Sequence, residues 1–415
     1  MRLLCTGDIH LGRNPTRIPT ERVPDQTPFS TRAMWQRIVS LAIEESVDAL
    51  LISGDLVDYE NQYFEALGPV ETGLDKLSTA GIPVVAVAGN HDFDVLPRLA
   101  DRYGEAFRLL GRNQRWERLT LRDNEGKARL HIDGWSFSAQ HALVDPLATY
   151  ALPMPADAPA VGLLHCDVDQ SSSRYAPVRL SDLRTSPVCA WLIGHNHAPV
   201  CHRAPGGPPV LYPGSPVPLD PGEHGEHGVW MLDIDFAGVA TYSFRPISPL
   251  CYQRVTIDLT GAVNATDAGD LIFATLNNLA QEPGIRYRLF RVDLIGRTKL
   301  GLERHARFDE VRLQQHTDAW SIESLTDRTR PEVDLHAISN DSSPPGVIAR
   351  LLQSLDTPEL SGPLLASAGM QIETIHAGST YNRIRDIDPP NERELLESTA
   401  WELLEALLAQ REVAQ

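Results

Sequence analysis

No stretch of the chain is apolar for the roughly 18 consecutive residues that a membrane-crossing helix needs, so no membrane span is expected. Cysteine is scarce: the five residues at 5, 166, 189, 201 and 251 are odd in number and form no Cys-x-x-Cys pair. They read as reduced thiols of a cytoplasmic protein. Met1 to Thr6 runs straight into a motif at Gly7, which leaves too few residues for a signal peptide, and none is expected. Basic residues are outnumbered, 37 Lys and Arg against 55 Asp and Glu, for a formal charge of −18. Proteins that grip nucleic acid usually carry a basic footprint, so this balance argues against tight metal-free DNA binding. It does not exclude a phosphodiester substrate, because a groove holding divalent cations is locally positive whatever the average surface. Internal repeats and low-complexity segments are also missing.

At 415 residues, 42% hydrophobic and 22% charged, the chain suits a globular protein of two or three domains. Its first half alternates strand and helix patterns. Strands are expected at 2–6, 49–53 and 83–88, with helices between them at 31–45, capped by Ser30, and at 62–80. Such alternation argues for an α/β core with crossover helices. Strands are expected again at 116–122, 129–132, 135–138, 160–164, 191–193, 210–215 and 228–233. Arg245 to Pro249 marks a boundary. A strand at 252–259, a helix at 268–280 and a strand at 287–295 suggest a small α/β module. The Asp-, Pro- and Ser-rich stretch 327–345 reads as a linker, and 391–410 as an amphipathic helix that docks on its own domain or on a partner.

The chemistry collects where those strands stop. Trp191-Leu192-Ile193-Gly194 ends in His195 and His197, whose two-residue spacing turns both imidazoles to one side of an extended segment. The same construction, an apolar strand, a glycine and then metal-type side chains, occurs at Gly7-Asp8-Ile9-His10, Gly54-Asp55 and Gly89-Asn90-His91, while His165 follows a strand alone. Singly, each is a common turn or core residue; jointly they make a complete two-metal site. Phosphodiester hydrolysis needs a strong nucleophile and relief of charge on the phosphoryl oxygens, which two ions about 3.5–4 Å apart supply. Asp55 is the candidate carboxylate between them. Mixed His, Asp and Asn ligation suits Mn²⁺, Fe²⁺ or Zn²⁺ rather than Ca²⁺. A histidine outside the ligand set is suited to protonating the leaving oxygen.

Gly7-Asp8-Ile9-His10, Gly54-Asp55-Leu56-Val57-Asp58, Gly89-Asn90-His91-Asp92, the lone His165 and Gly194-His195-Asn196-His197 together resemble the five-part signature of calcineurin-like metallophosphoesterases. Within that superfamily they look most like the DNA-repair exonucleases of the SbcCD type. Protein phosphatases usually carry GDxxDRG and GNHE, whereas here Tyr59-Glu60 follows Asp58 and Asp92 follows His91. The resemblance implies an α/β fold: a β-sandwich flanked by helices over 1–248, a small α/β capping domain over 249–340 and a C-terminal helical region over 341–415. It implies that Asp8, His10 and His197 hold one metal, Asn90, His165 and His195 the other, and that Asp55 bridges them. His91 would be the catalytic histidine outside the ligand set, oriented by a hydrogen bond to Asp92; Asp58, where some relatives carry histidine, receives no firm role. The implied activity is Mn²⁺-dependent exonuclease cleavage of DNA in repair, by a homodimer working with an SMC-like coiled-coil ATPase subunit.

Two other readings stay open. One is a phosphodiesterase for small nucleotides or other phosphoesters, which the acidic charge favours. The other is a non-catalytic subunit that tethers DNA or regulates an ATPase. Of the remaining polar features, Arg286, Arg288, Arg291, Arg297 and Lys299 are the best candidate phosphate contacts, while Arg108 to Arg129 reads as a mixed solvated face. The 222–228 loop, with His224 and His227, reads as solvated, and the loop from Asp167 to Ser173 as either a groove wall or a surface turn. His131, His141, His202, His305, His316, His336 and His376 read as structural.

Overall fold

The computed structural model describes residues 1–59, 66–154, 156–203, 205–281, 283–299, 308, 315–376 and 391–413. Two compact units emerge: one of residues 1–254, 278–291 and 316–323, the other of 255–277, 292–315 and 324–415.

In the first unit, β1 (Arg2–Thr6), β2 (Ala49–Ile52), β3 (Val84–Ala86) and β4 (Phe107–Leu109) run parallel, linked by the helices α1 (Thr31–Glu44), α2 (Leu67–Thr79) and α3 (Leu96–Tyr103). The second sheet carries β5 (Glu117–Arg122), β6 (Ala128–Gly134), β7 (Ala160–His165), β8 (Ala190–Gly194), β9 (Val200–His202) and β10 (Val210–Tyr212), with α4 (Leu180–Thr185) before β8. β11 (Gly228–Ile234) returns to pair antiparallel with β1, and β12 (Ala240–Pro246) with β11. The strand orders are β12-β11-β1-β2-β3-β4 and β5-β6-β7-β8-β10-β9.

Side chains alternate across each strand, and both faces are covered, which is why the strands read as unbroken apolar runs. Leu3, Cys5, Leu51 and Val85 meet Ile132, Val161, Leu163 and Leu192 in the layer between the sheets. Leu4, Leu50, Ile52 and Val84 face Trp35, Ile38, Val70 and Leu74 of the helices. Leu164, Trp191, Ile193 and Val210 bury the far side of the second sheet against Leu183, Trp135 and Phe137. The expected α/β sandwich flanked by helices is what forms. Ser30 caps α1 by accepting from the Ala33 amide, as its position suggested.

Three local expectations change. The segment 135–138 is not a strand: the amides of Trp135, Ser136 and Phe137 donate to Leu163, Gly111 and Ala88 in turn, three different partners rather than one ladder. The helix expected from 62 starts at Leu67, and residues 62–65 lie outside the described residues. The stretch 327–345 is more than a linker. Arg330–Pro331 pairs with Arg297–Thr298, Asp334 caps a short helix, Leu335–Ser339, and Pro344 opens another, Pro344–Leu355. Its Asp, Ser and Pro residues are helix-start chemistry.

β13 (Leu250–Asp258), β14 (Tyr287–Ile295) and β16 (Trp320–Asp327) form a three-stranded sheet; β15 and β17 are the short pair Arg297–Thr298 and Arg330–Pro331. In the first unit, Tyr252, Tyr287 and Leu289 of these strands pack with Phe29, Met34, Val217 and Leu219. The second unit holds α5 (Ala265–Leu279) and, after the two helices above, Pro358–His376 and Glu392–Val413. Leu352, Ala400, Trp401 and Leu404 form its buried cluster, with the guanidinium groups of Arg297 and Arg330 5.9 and 6.0 Å from the Trp401 ring. No helix among the described residues is long and apolar enough to cross a membrane.

Candidate metal centre

All five motifs lie just beyond the C-terminal ends of β1, β2, β3, β7 and β8, where open parallel sheets place their sites. The loops are stitched together by their own backbones. Asp8 and His10 donate amide hydrogens to the carbonyls of Gly54 and Asp55 at 3.0 and 2.9 Å, and Asp58 donates to Leu11 at 3.0 Å. The His195 amide lies 3.0 and 3.2 Å from the two Asp8 carboxylate oxygens, and the His91 amide donates to Asp55 Oδ1 at 2.9 Å. Asp8, His10, Asp55 and His195 have φ of 48°, 49°, 52° and 97°. Such left-handed backbone is uncommon outside glycine, and its concentration here marks a site whose geometry is held by its surroundings.

The glycines of the motifs are there for room. A Cβ on Gly89 would lie 2.2 Å from Asp55 Oδ1 and 2.9 Å from His165 Cε1. Gly89→Ala therefore pushes directly on Asp55. We expect it to weaken Mn²⁺ binding by about 10–100-fold, the range typical of disturbed supporting contacts, in a calorimetric titration. An unchanged isotherm would show that Asp55 does not depend on that close approach.

The side chains form two neighbouring groups. In the first, His10 Nε2 and His197 Nε2 are 3.1 Å apart, with Asp8 within ligand-sharing distance of both. In the second, Asn90 Oδ1 lies 3.0 Å from His165 Nε2 and 3.2 Å from His195 Nδ1. Asp55 Oδ2 stands between the groups, 3.8 Å from His10 Nε2 and 3.4 Å from His165 Nε2. Asp8, His10, Asp55, Asn90 and His165 are buried, whereas the side chains of His195, His197 and His91 remain 21%, 23% and 29% exposed. The floor is closed and the rim is open.

The hydrogen-bonding of the four imidazoles tests whether these residues fit metal ions. Each turns one nitrogen outward to an oxygen: His10 Nδ1 to Asp58 at 3.2 Å, His197 Nδ1 to Glu223 at 2.8 Å, His165 Nδ1 to the Ser53 carbonyl at 3.0 Å, and His195 Nε2 to Asp167 at 3.3 Å. The outward nitrogen then carries the proton, and the inward one presents a lone pair. Four inward lone pairs facing each other and the Asn90 and Asp55 oxygens repel unless cations lie among them. Metal–ligand bonds of about 2.0–2.2 Å give ligand separations close to those found here. Burial lowers the His10 imidazole and pushes that of His165 down to about 4, keeping both neutral as ligands must be. Burial also raises the Asp8 carboxyl above its ordinary range, with Asp55 adding to the effect against the pull of His197. The residues fit a pair of divalent ions.

All seven expected ligands are thus brought together. Asp92 departs from expectation. Its carboxylate accepts from the amides of Gly89 and Leu56 at 2.8 and 2.7 Å, which ties the β3 loop to the β2 loop, and burial pushes its carboxyl up to about 8. The oxygen beside His91 Nδ1 belongs to Asp58, at 3.2 Å. Burial lowers the His91 pKa, but the Asp58 bond and the charges of Asp55, Asp58 and Asp92 outweigh that and raise it. Asp58 thereby serves both His10 and His91 through one oxygen, and these bonds hold it below the usual carboxylate range despite its burial.

Glu223 and Asp167 were also missed as partners of the ligands. The 222–228 loop is not simply solvated, since His227 is buried with Nδ1 2.7 Å from the Ser215 carbonyl. The arginines offered to phosphate are mostly engaged elsewhere: Arg288 is buried and bonds Gln253, Arg291 pairs with Glu323, and Arg286 lies over Phe29. Arg304, Arg307 and Arg312 lie outside the described residues. Across 108–129, Arg108, Arg112, Arg118 and Arg129 each pair with an acid, as a mixed face would.

Comparison with known proteins agrees with this geometry. Residues 1–199 match the family of calcineurin-like phosphoesterases. By that match, residues 1–199 belong to the superfamily. Its members are metal-dependent hydrolases with a dinuclear metal centre. Over 256 residues, 61% of this chain and 61% of the relative, it is 26% identical to an uncharacterized metallophosphoesterase, YhaO, of Bacillus subtilis (strain 168). Over 264 residues, 59% of this chain and 56% of the relative, it is 25% identical to the DNA double-strand break repair protein Mre11 of Methanopyrus kandleri. A shorter match, 35% identical over 92 residues, covers 22% of this chain and 19% of Mre11 of Haloferax volcanii. The chain spans less than two thirds of the length of each of these relatives.

Proposed function

We propose that this metallophosphoesterase is a Mn²⁺-dependent DNA exonuclease of repair, acting as a homodimer with an SMC-like coiled-coil ATPase. The observation that carries the chemistry is the meeting of two ligand groups at Asp55 with His91 at their open edge. Held by these residues, two divalent ions would supply charge relief for the phosphoryl oxygens and lower the pKa of a water at neutral pH. The chain's own residues do the rest. His91, with Nδ1 beside Asp58, has its second ring nitrogen available to protonate the leaving sugar oxygen. The partly exposed His195 and His197 form the rim that a backbone phosphate meets first. Similarity to Mre11 over 264 residues supports DNA as the substrate.

The charge of −18 favours a second reading, hydrolysis of small phosphodiesters. End-labelled linear duplex DNA and a small chromogenic phosphodiester, each incubated with pure protein and Mn²⁺, separate the two. The nuclease reading predicts that both are cleaved and that chelator stops both. Hydrolysis of the small ester with no cleavage of the duplex DNA would support the second.

A further inference from the structure

We propose that Glu223, outside every motif, is a positioning residue that aims the metal ligand His197. The proposal rests on the two-metal reading of the site.

His197 is one of the more exposed ligands, and among the described residues the hydrogen-bonding partners of its ring, His10 and Glu223, lie outside its own loop, which therefore does not dictate the direction of the ring. Glu223 does. Its Oε1 lies 2.8 Å from His197 Nδ1, while Oε2 accepts from Ser215 Oγ at 2.9 Å and from the Leu219 amide at 2.8 Å. The carboxylate is thus held by two donors that are not ligands and turned toward the one that is. At 15% exposure it is better shielded than Asp167, the partner of His195, which is 26% exposed and 3.3 Å from its histidine. A shielded carboxylate fixes the tautomer of the imidazole it faces and strengthens its other nitrogen as a donor to metal. That nitrogen, His197 Nε2, is the one 3.1 Å from His10 Nε2.

The loop bearing Glu223 is built to hold it still. The Ser215 amide donates to the His197 carbonyl at 3.0 Å, the Thr16 amide to Leu219 at 3.0 Å, and the Gly225 amide to Tyr252 at 3.0 Å. His227 Nδ1 faces the Ser215 carbonyl at 2.7 Å. The segment following His10, the loop following His197 and β13 therefore hold the loop that carries this carboxylate. Were Glu223 only a brace for this loop, its bonds to Ser215 and Leu219 would matter and the one to His197 would not.

The test is Mn²⁺ titration by calorimetry, with bound metal counted after dialysis and thermal melting run alongside, on full-length wild type, Glu223→Gln, Glu223→Ala, Ser215→Ala and His197→Ala. Glu223→Gln keeps the shape and loses the charge. We expect it to weaken one of two ions by about 10–100-fold, leave the other unchanged, and keep the wild-type melting temperature. Ser215→Ala, which loosens the loop but leaves the His197 contact, should cost much less metal affinity. If His197→Ala loses an ion while both Glu223 variants bind two with wild-type affinity, the positioning role is overturned. If metal loss follows loop stability equally in Glu223→Gln and Ser215→Ala, Glu223 is a brace and the proposal fails. If His197→Ala itself binds two ions normally, the ligand assignment beneath the proposal is at fault. Should Glu223→Ala not fold, Glu223→Gln alone decides.

Discussion

Asp55→Ala is expected to lower phosphodiester hydrolysis by about 10³-fold or more, the factor that several kcal/mol of lost charge stabilisation amounts to. It should also release both ions together. The other ligands are expected to divide into Asp8, His10 and His197 on one side and Asn90, His165 and His195 on the other, with Asp8 also within ligand-sharing distance of His165. Asp55 Oδ2 faces a histidine from each, 3.8 Å from His10 Nε2 and 3.4 Å from His165 Nε2. Its second oxygen takes the His91 amide at 2.9 Å, which prevents the carboxylate from swinging toward either side. Removing a ligand of one group should leave a single-ion protein, as His197→Ala should. Metal analysis after dialysis distinguishes the cases. One ion retained by Asp55→Ala would mean that the shared position is not shared.

The second large effect belongs to His91→Asn, for which kcat toward DNA should fall by about 10²–10⁴-fold, the usual contribution of a positioned general acid, with two ions still bound. The size of the loss should depend on the leaving group. A sugar alkoxide is a poor leaving group and needs its proton, whereas a nitrophenolate leaves without one. His91→Asn should therefore damage DNA cleavage far more than hydrolysis of a nitrophenyl diester. Asp58→Asn should show the same substrate dependence with a smaller loss, together with weaker metal binding, because one Asp58 oxygen lies beside both His91 Nδ1 and His10 Nδ1. Asp92→Asn should instead act on stability, since its carboxylate bonds two loop amides. Equal losses on both substrates in His91→Asn would assign this histidine to metal binding, as its proximity to His10 and Asp55 permits.

What was legible in the sequence follows from distance along the chain. Each ligand sits at a strand end, after a glycine or directly on the strand, and the two-residue spacings marked Asp8 with His10 and His195 with His197, although left-handed backbone rather than strand alternation is what aims them. Those are local facts, and the sandwich strands were legible for the same reason. The partners of the ligands are another matter. Glu223 reaches His197 across 26 residues, and Asp58 reaches His10 across 48. No periodicity links such pairs, and Asp92 was expected beside His91 on the family resemblance alone. The strand expected at 135–138 failed similarly: Trp135 and Phe137 are as apolar as any strand residue, but their amides go to Leu163 and Ala88, which only the assembled sheets bring together. Arg288 looked like a phosphate contact because its type was visible and its burial was not.

The most direct test of the account is an anomalous-scattering map from crystals of the protein soaked in Mn²⁺. Two peaks per chain are predicted about 3.5–4 Å apart, one among Asp8, His10 and His197, the other among Asn90, His165 and His195, with Asp55 touching both. A single peak, or two that do not share Asp55, would contradict it.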